Sequence, residues 1–291
     1  MNYVPSGLRC IVSESRLVLP PEITVLRKRI KERERIKRIK GLAHLWNGPQ
    51  YALEKYAISR TALDERPEVT FSLQLTDYYT FQATVMSLDQ EWGQANVPMT
   101  LRKKYLEGSN IYQPIPFLAN GFGIALTIIS EDRKLVVTHR SEQCGARPGE
   151  IDVSVVESVH PGMDTSGPTA VPDLYSTAIR GLREEVGIDL DPNEIIFFGF
   201  GVDLQYYQWN LIGMARISQT GEEILNCFSR GVHGKWEAKM LELVCFDPKS
   251  TLHIFKKTKS WSTALVAAYW SLVNEYGKKE TLSAADEVFN G

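Results

Sequence analysis

The sequence predicts a mixed α/β sandwich of the α/β class, preceded by a smaller α+β region. From about residue 120, strand-like segments alternate with two helical segments, and this pattern favours a mixed sheet over a doubly wound one. The chain has 291 residues, which suits two domains or one large domain with an extension. Hydrophobic residues make up 43% and charged residues 23%, a composition that excludes disordered, collagen-like and coiled-coil proteins.

The overall charge and the cysteines predict a soluble cytoplasmic protein without a membrane partner. The net charge is −2, so affinity for nucleic acid would have to come from a local patch. No segment approaches the ~20 apolar residues of a membrane span, and the first ten residues lack the pattern of a signal peptide. The four cysteines are far apart, which argues against a disulfide framework or a structural zinc site.

A basic helix is predicted over about residues 22–46. Residues 27–40 carry nine basic side chains and two acidic ones. Ile23, Leu26 and Ile30 follow at helical spacing, as do Ile36, Ile39 and Leu42, so the helix has a modest apolar stripe. We expect this stripe to pack on its own domain, which is the usual fate of such a face. Binding of nucleic acid through the basic face stays open as the less favoured alternative.

A domain boundary is predicted near residue 112, within a segment that contains several Gly and Pro residues. We predict an N-terminal region at 1–112, a second domain at 113–277 and a C-terminal tail at 278–291. Strands are predicted at 51–59, 69–75, 122–129, 135–140, 151–156, 194–200, 206–217 and 241–245. Further helices are predicted to start at Asp77 and to span 173–186 and 262–276.

The helix predicted over 173–186 carries an unusual pair of acidic residues. Glu184 and Glu185 lie near its C-terminal end, where the helix dipole disfavours negative charge by several tenths of a kcal/mol each. A divalent cation such as Mg²⁺, which prefers oxygen ligands, would relieve this repulsion. The alternative is that Glu184 only pairs with Arg180, four residues earlier.

The segment Arg180-Gly-Leu-Arg-Glu-Glu-Val-Gly-Ile188 resembles the second half of the Nudix box, R-E-U-x-E-E-x-G-U, where U is aliphatic. With the surrounding hairpin and strands, the resemblance covers residues 120–276. It implies a Nudix-type α/β/α sandwich with a mixed sheet. It also implies hydrolysis of a nucleoside diphosphate linked to another moiety, with Mg²⁺ or Mn²⁺ held by Glu184 and Glu185. The N-terminal layout loosely resembles that of UDP-sugar diphosphatases, so nucleotide sugars rank first among substrates.

Two departures from the Nudix pattern affect the predicted site. Gly181 replaces a glutamate that family members commonly use as a metal ligand or general base, and Pro172 stands where the first half of the box has another glutamate. Glu157 and Glu237 are the candidates to replace the lost carboxylate as general base. The loss also keeps open a different function, that of a catalytically inactive Nudix-fold protein that binds a nucleotide or metabolite.

Three arginines complete the predicted site. Arg180 is expected to orient the helix carboxylates by pairing with them, without touching the substrate. Arg140 and Arg147 lie on the loop that enters the site in the Nudix fold, and they are the candidates to bind substrate phosphates. The expected partner is a small-molecule nucleotide. A homodimer is an additional alternative, based on the habit of the family.

Overall fold

The computed structural model describes residue 3 and residues 5–92, 98–165, 171–231 and 238–291. Its largest sheet has seven strands: β4 (Gly123–Ile129), β5 (Lys134–Arg140), β6 (Ile151–Asp152), β7 (Val155–Ser158), β8 (Ile195–Asp203), β9 (Gln208–Arg216) and β10 (Ala238–Cys245). The sheet is mixed and has the strand order β10-β5-β4-β9-β8, and β6 pairs with β5 and β7 with β4. The pair β4·β9 is parallel and the other pairs are antiparallel.

A smaller sheet precedes the large one. It has the order β1-β3-β2 and consists of β1 (Leu8–Val12), β2 (Pro49–Arg60) and β3 (Pro67–Asp77). Helix α1 (Pro21–Ile39) lies between the first two strands, and α2 (Tyr78–Thr84) follows the third. The Asp77 side chain caps α2 by accepting a hydrogen bond from the N–H of Thr80.

The first half of the apolar stripe of α1 packs inside the molecule, as expected, whereas Ile36, Ile39 and Leu42 are exposed, contrary to the expectation. Ile23 and Ile30 are buried. Glu34 is buried with them and binds Arg33, Lys37 and the backbone N–H of residue 45. The helix ends at Ile39, earlier than the predicted limit of residue 46. No helix in the described part of the chain is long and apolar enough to cross a membrane.

Helices cover both faces of the large sheet, which confirms the predicted sandwich of mixed α/β structure. They are α3 (Leu174–Gly181), α4 (Gly221–Ser229), α5 (Pro248–Lys257), α6 (Ser262–Tyr276) and α7 (Lys278–Asn290). Residues 278–291 were expected to be a tail, but α7 buries Ala284 and Val288 in the core beneath α6. Helix α7 was not predicted, because only three of its side chains are buried and these three are small or β-branched.

Two hydrophobic cores lie on opposite faces of the large sheet. The first contains α3 residues such as Ala178 and Leu174, and the second contains α6 residues such as Ala264 and Leu272. Residues of the smaller sheet belong to the first core, where the Phe71 ring lies 4.9 Å from that of Phe122. The boundary predicted near residue 112 falls in a loop, but the segments on its two sides share this core.

Candidate active site

Helix α3 does not continue as a regular helix to Val186. Its N-terminus is capped by Asp173, whose side chain accepts a hydrogen bond from the N–H of Tyr175. After Gly181 the chain forms a π-helical turn over Leu182–Val186, and Gly187 ends it with a φ of 79°. Such turns within helices are frequent at functional sites, because the wider turn redirects the side chains that follow. Glu184 and Glu185 lie in this turn.

The glycine at position 181 has a structural cause. A Cβ at this position would lie 2.6 Å from Cγ1 of Val155 and 3.1 Å from Cβ of Glu157. Real Cβ atoms do not approach other atoms so closely, so α3 packs against β7 only because residue 181 has no side chain. The space that a residue 181 side chain would need is filled in part by Glu157. The structure therefore places a carboxylate beside the position where the Nudix pattern has one.

Arg180 joins three carboxylates that come from different segments. Its Nε lies 2.7 Å from Oδ1 of Asp164 and its Nη2 lies 2.9 Å from Oδ2, a bidentate pair. Its Nη1 lies 3.1 Å from Oε1 of Glu157 and 3.5 Å from Oε2 of Glu184. Its Nη2 also donates to the carbonyl oxygen of Ser158. We call Arg180, Asp164, Glu157 and Glu184 the Arg180 cluster.

The charge of Arg180 is strongly stabilised. Its side chain is only 11% exposed, and burial alone would lower its pKa. The hydrogen bonds to Asp164 and the negative charge of Glu157 outweigh burial, so the pKa of Arg180 is raised above its ordinary value. This geometry is the one expected of a residue that orients carboxylates, and its role in a reaction stays a prediction.

Asp164 is a member of the cluster that sequence reasoning missed. Its side chain is 0% exposed and also accepts hydrogen bonds from Oγ1 of Thr177 and from the N–H of His160. It lies in a segment rich in Gly, Pro, Ser and Thr, which has no periodic pattern and no motif. No local signal distinguishes it from a loop residue in water, because its partner Arg180 is 16 residues away.

The two adjacent glutamates have different surroundings. Oε1 of Glu185 accepts a hydrogen bond from the N–H of Val156, so this side chain ties the π-helical turn to β7. The Glu184 side chain is 33% exposed, and its contact with Arg180 is the longest of the three ion pairs. Glu184 is therefore the carboxylate of the cluster that is most accessible from solvent.

His160 lies beside the Arg180 cluster, and its surroundings disfavour the protonated ring. Burial lowers its pKa below the ordinary value for histidine, and the positive charge of Arg180 lowers it further, against the opposing effect of Asp164. Its Nδ1 is buried and has no hydrogen-bond partner among the described residues.

The residues present fit Mg²⁺ by the chemistry of their donors. In the described ranges, no group of three or more His, Cys, Asp or Glu side chains could hold a metal ion. Mg²⁺ does not need such a cage, because proteins usually bind it through one or two carboxylates together with water and substrate phosphates. Glu184 and Glu185 supply oxygen donors of that kind. Glu237, the other candidate base, lies outside the described residues.

Arg140 and Arg147 take part in a buried ion-pair cluster. Nη1 of Arg147 lies 2.7 Å from Oδ2 of Asp152, and its guanidinium lies 3.7 Å from the centre of the Trp261 ring. Nε of Arg140 donates to the carbonyl oxygen of Ala146, and its Nη1 lies 3.6 Å from the same Asp152 oxygen. The Arg147 side chain is only 3% exposed. These contacts stabilise the β5–β6 region, and phosphate binding by either arginine stays a prediction.

Known proteins provide a likeness at the level of fold. No family model matches the chain, and no curated protein matches it. Among solved structures, a Nudix hydrolase from Alicyclobacillus acidocaldarius matches 56% of this chain and 95% of its own, with 13% identity and a TM-score of 0.39. A MutT protein from Methanosarcina mazei matches 54% of this chain and 95% of its own, with 12% identity and a TM-score of 0.35.

A MutT/nudix family protein from Enterococcus faecalis also matches, at 9% identity and a TM-score of 0.32, over 57% of this chain and 67% of its own. The likeness is to Nudix-fold proteins. Identity and TM-score are both too low to assign an activity.

Proposed function

We propose that this protein hydrolyses a nucleoside diphosphate linked to another moiety, with Mg²⁺ or Mn²⁺ bound at Glu184 and Glu185. The observation that carries the proposal is the Arg180 cluster, in which carboxylates from three segments meet around one guanidinium. Counted over the four described residues of the cluster, three carboxylates against one cation leave a negative surplus next to the π-helical turn. A divalent cation and the diphosphate that it accompanies would balance such a surplus.

The contacts of Arg180 support a separate role for each carboxylate. Asp164 takes the two shortest bonds and is completely buried, so it anchors the guanidinium. Glu184 has the longest contact and is partly exposed, so it can turn from Arg180 towards a metal at little cost. When bound, the metal would neutralise the diphosphate and polarise the attacked phosphorus.

Glu157 is the general base of this proposal. Its Cβ packs against the Gly181 backbone position, and Nη1 of Arg180 holds its Oε1 at 3.1 Å. The carboxylate of Glu157 would take the proton from the attacking water. Glu237 is the alternative base. A nucleotide sugar is the first substrate to test, on the basis of the N-terminal layout, and the homodimer stays a prediction.

The test is a panel of nucleoside diphosphate sugars, dinucleotides and nucleoside triphosphates, incubated with the full chain in Mg²⁺ and then in chelator. Products are identified by mass. We expect Mg²⁺-dependent release of a nucleoside monophosphate, with a loss of at least 100-fold in kcat for Glu184→Gln and Glu157→Gln. Glu222→Gln is the matched control, because Glu222 is an exposed residue in the first turn of α4.

A second function is distinguished by the same panel. Gly181 removes the carboxylate that the Nudix pattern places in this helix, which favours a nucleotide-binding protein without hydrolysis. In that case no member of the panel is cleaved, but at least one of them raises the melting temperature, and Glu184→Gln changes only the metal dependence of this effect.

A further inference from the structure

Helix α1 presents apolar side chains to solvent on the side opposite to its buried stripe. Ile23 and Ile30 are buried. Val25, Ile36 and Ile39, in contrast, are 49%, 41% and 68% exposed. At 3.6 residues per turn, these three exposed residues lie within one outward-facing sector of the helix. We call them the outer stripe of α1.

The exposed apolar surface continues beyond the end of α1. Leu42 is 56% exposed and lines the same groove as Ile36. Trp46 follows in the segment that leads to β2, and it is 72% exposed. Single apolar residues at a surface are ordinary, but several large ones that are close together mark an interaction surface. The outer stripe and the segment after it are therefore candidates to bind a partner.

Cations flank the outer stripe on both sides. By helical spacing, Arg29 and Lys40 lie along one edge of the stripe and Lys28 lies along the other. Among the described residues, these three cations take part in no ion pair. Glu32 lies on the same face, but Arg35 neutralises it through two hydrogen bonds. The positive charge of this face is therefore available to a partner.

An open groove of ≈ 610 Å³ runs over this face of α1. Its described lining consists of five Lys and Arg side chains, the apolar Ile36 and Leu42, and Glu32. Five cations against one acid give the groove an excess of positive charge. The partner that complements it carries negative charge and also has apolar surface to cover Ile36 and Leu42.

The combination of charge and apolar surface favours lipid over nucleic acid. Nucleic-acid phosphates would bind the cations, but they would leave the exposed aliphatic side chains uncovered. An apolar stripe flanked by cations is typical of helices that lie in the membrane interface, where the apolar side chains enter the acyl boundary and the long basic ones reach the lipid phosphates. A tryptophan such as Trp46 is also preferred at this interface.

We propose that the outer face of α1 docks this protein on an anionic phospholipid membrane, with the helix lying in the headgroup layer. Ile39, Leu42 and Trp46 enter the acyl boundary, and the cations beside the outer stripe bind lipid phosphates. Such a partner was not predicted from the sequence, where the absence of a membrane span suggested none. Docking of this kind needs no span, and it does not depend on hydrolysis at the Arg180 cluster.

The test is co-sedimentation of the full chain with vesicles of phosphatidylcholine, either alone or with about one-third phosphatidylserine. We expect binding only to the vesicles that contain phosphatidylserine, and weaker binding at high salt. Binding should be weakened about tenfold by the double variant Lys28→Gln with Arg29→Gln, and about tenfold by Ile39→Ser. All three substituted residues are exposed, so the variants are expected to fold, and their melting temperatures check this.

Matched controls carry the same changes at exposed residues elsewhere. They are Lys278→Gln with Lys279→Gln, at the start of α7, and Leu63→Ser, in the turn between β2 and β3. No binding, equal binding to both kinds of vesicle, or binding that the α1 variants leave unchanged would overturn the proposal. A single-stranded oligonucleotide and polyglutamate are titrated in parallel. If either of them binds while the vesicles do not, this face recognises nucleic acid or an acidic protein, and the proposal is wrong.

Discussion

The two faces of the large sheet differ in how they treat polar groups. On the α3 face, Arg180 and three carboxylates satisfy one another in a dense ionic cluster. On the α6 face, the Asn210 carboxamide is buried and has no hydrogen-bond partner among the described residues, and Gly199 and Gly201 of the neighbouring strand leave open space. A paired buried charge resists change in either partner, whereas an unpaired buried amide costs about 1–3 kcal/mol of desolvation. The α3 face is therefore stabilised by paired charges, whereas the α6 face contains a buried polar group whose desolvation is not offset among the described residues.

Glycines show the same contrast. Gly181 is required, because any side chain there would overlap Val155. Gly199 and Gly201 face open space and have room for a side chain. A glycine in the sequence does not indicate which of these situations holds, since the difference lies in atoms from another segment of the chain.

Removing Arg180 is expected to have the largest effect. Arg180→Met leaves Asp164 buried without its cation, and loss of one partner from a buried ion pair destabilises a protein by about 3–5 kcal/mol. Urea unfolding of the wild type and the variant measures this loss. Arg183→Met is the matched control, because Arg183 is exposed and pairs only at the surface with Asp189. Equal unfolding free energies for Arg180→Met and the wild type would contradict the description of the α3 face.

Filling Gly181 is expected to have an intermediate effect. Gly181→Ala forces a methyl group against Val155, and overpacking of this kind destabilises by about 1–3 kcal/mol, partly offset by the better helix propensity of alanine. The midpoint of urea unfolding measures the net effect. Val155→Ala should reduce the penalty when combined with Gly181→Ala, whereas Gly201→Ala, on the open face, should show no such penalty. A stabilised Gly181→Ala variant would mean that α3 and β7 are not in close contact.

The pH dependence contributed by His160 is expected to be the smallest effect. Its pKa is lowered in the folded state by burial and by Arg180, so the unfolded chain binds more protons as the pH falls through the ordinary histidine pKa of about 6.5. Stability is therefore greater above this pH and decreases below it. His160→Gln should flatten this part of the profile, measured as melting temperature between pH 5 and 8. His253→Gln, at an exposed histidine of α5, is the control. An unchanged slope in His160→Gln would place the titration elsewhere.

Local patterns predicted much of the secondary structure. The predicted strand at 51–59 lies within β2, and that at 69–75 lies within β3. The predicted helix at 262–276 coincides with α6. Helix α4 was missed, although Thr220 and Glu223 form a capping box there, because its nine residues are too few to show a clear apolar period.

The candidate site was predictable only where its residues are close in sequence. Arg180, Glu184 and Glu185 share one motif, and the structure keeps them on one π-helical turn or immediately before it. Phosphate binding by Arg147 stays a prediction, but its contact with Trp261, more than a hundred residues away, was not predicted. Neither spacing nor composition could indicate such a neighbour.

The sequence by itself determined the class of the fold, the basic amphipathic helix and the acidic motif, because each depends on periodicity or spacing within a few turns of chain. Only the tertiary structure decided that Asp164 anchors Arg180, that Val155 excludes a side chain at position 181 and that Asn210 lies opposite Gly201. These relations depend on strand register and helix docking, which bring together groups that are distant in sequence. Strand register and helix docking are set by the packing of the whole chain, so no local sequence pattern predicts them.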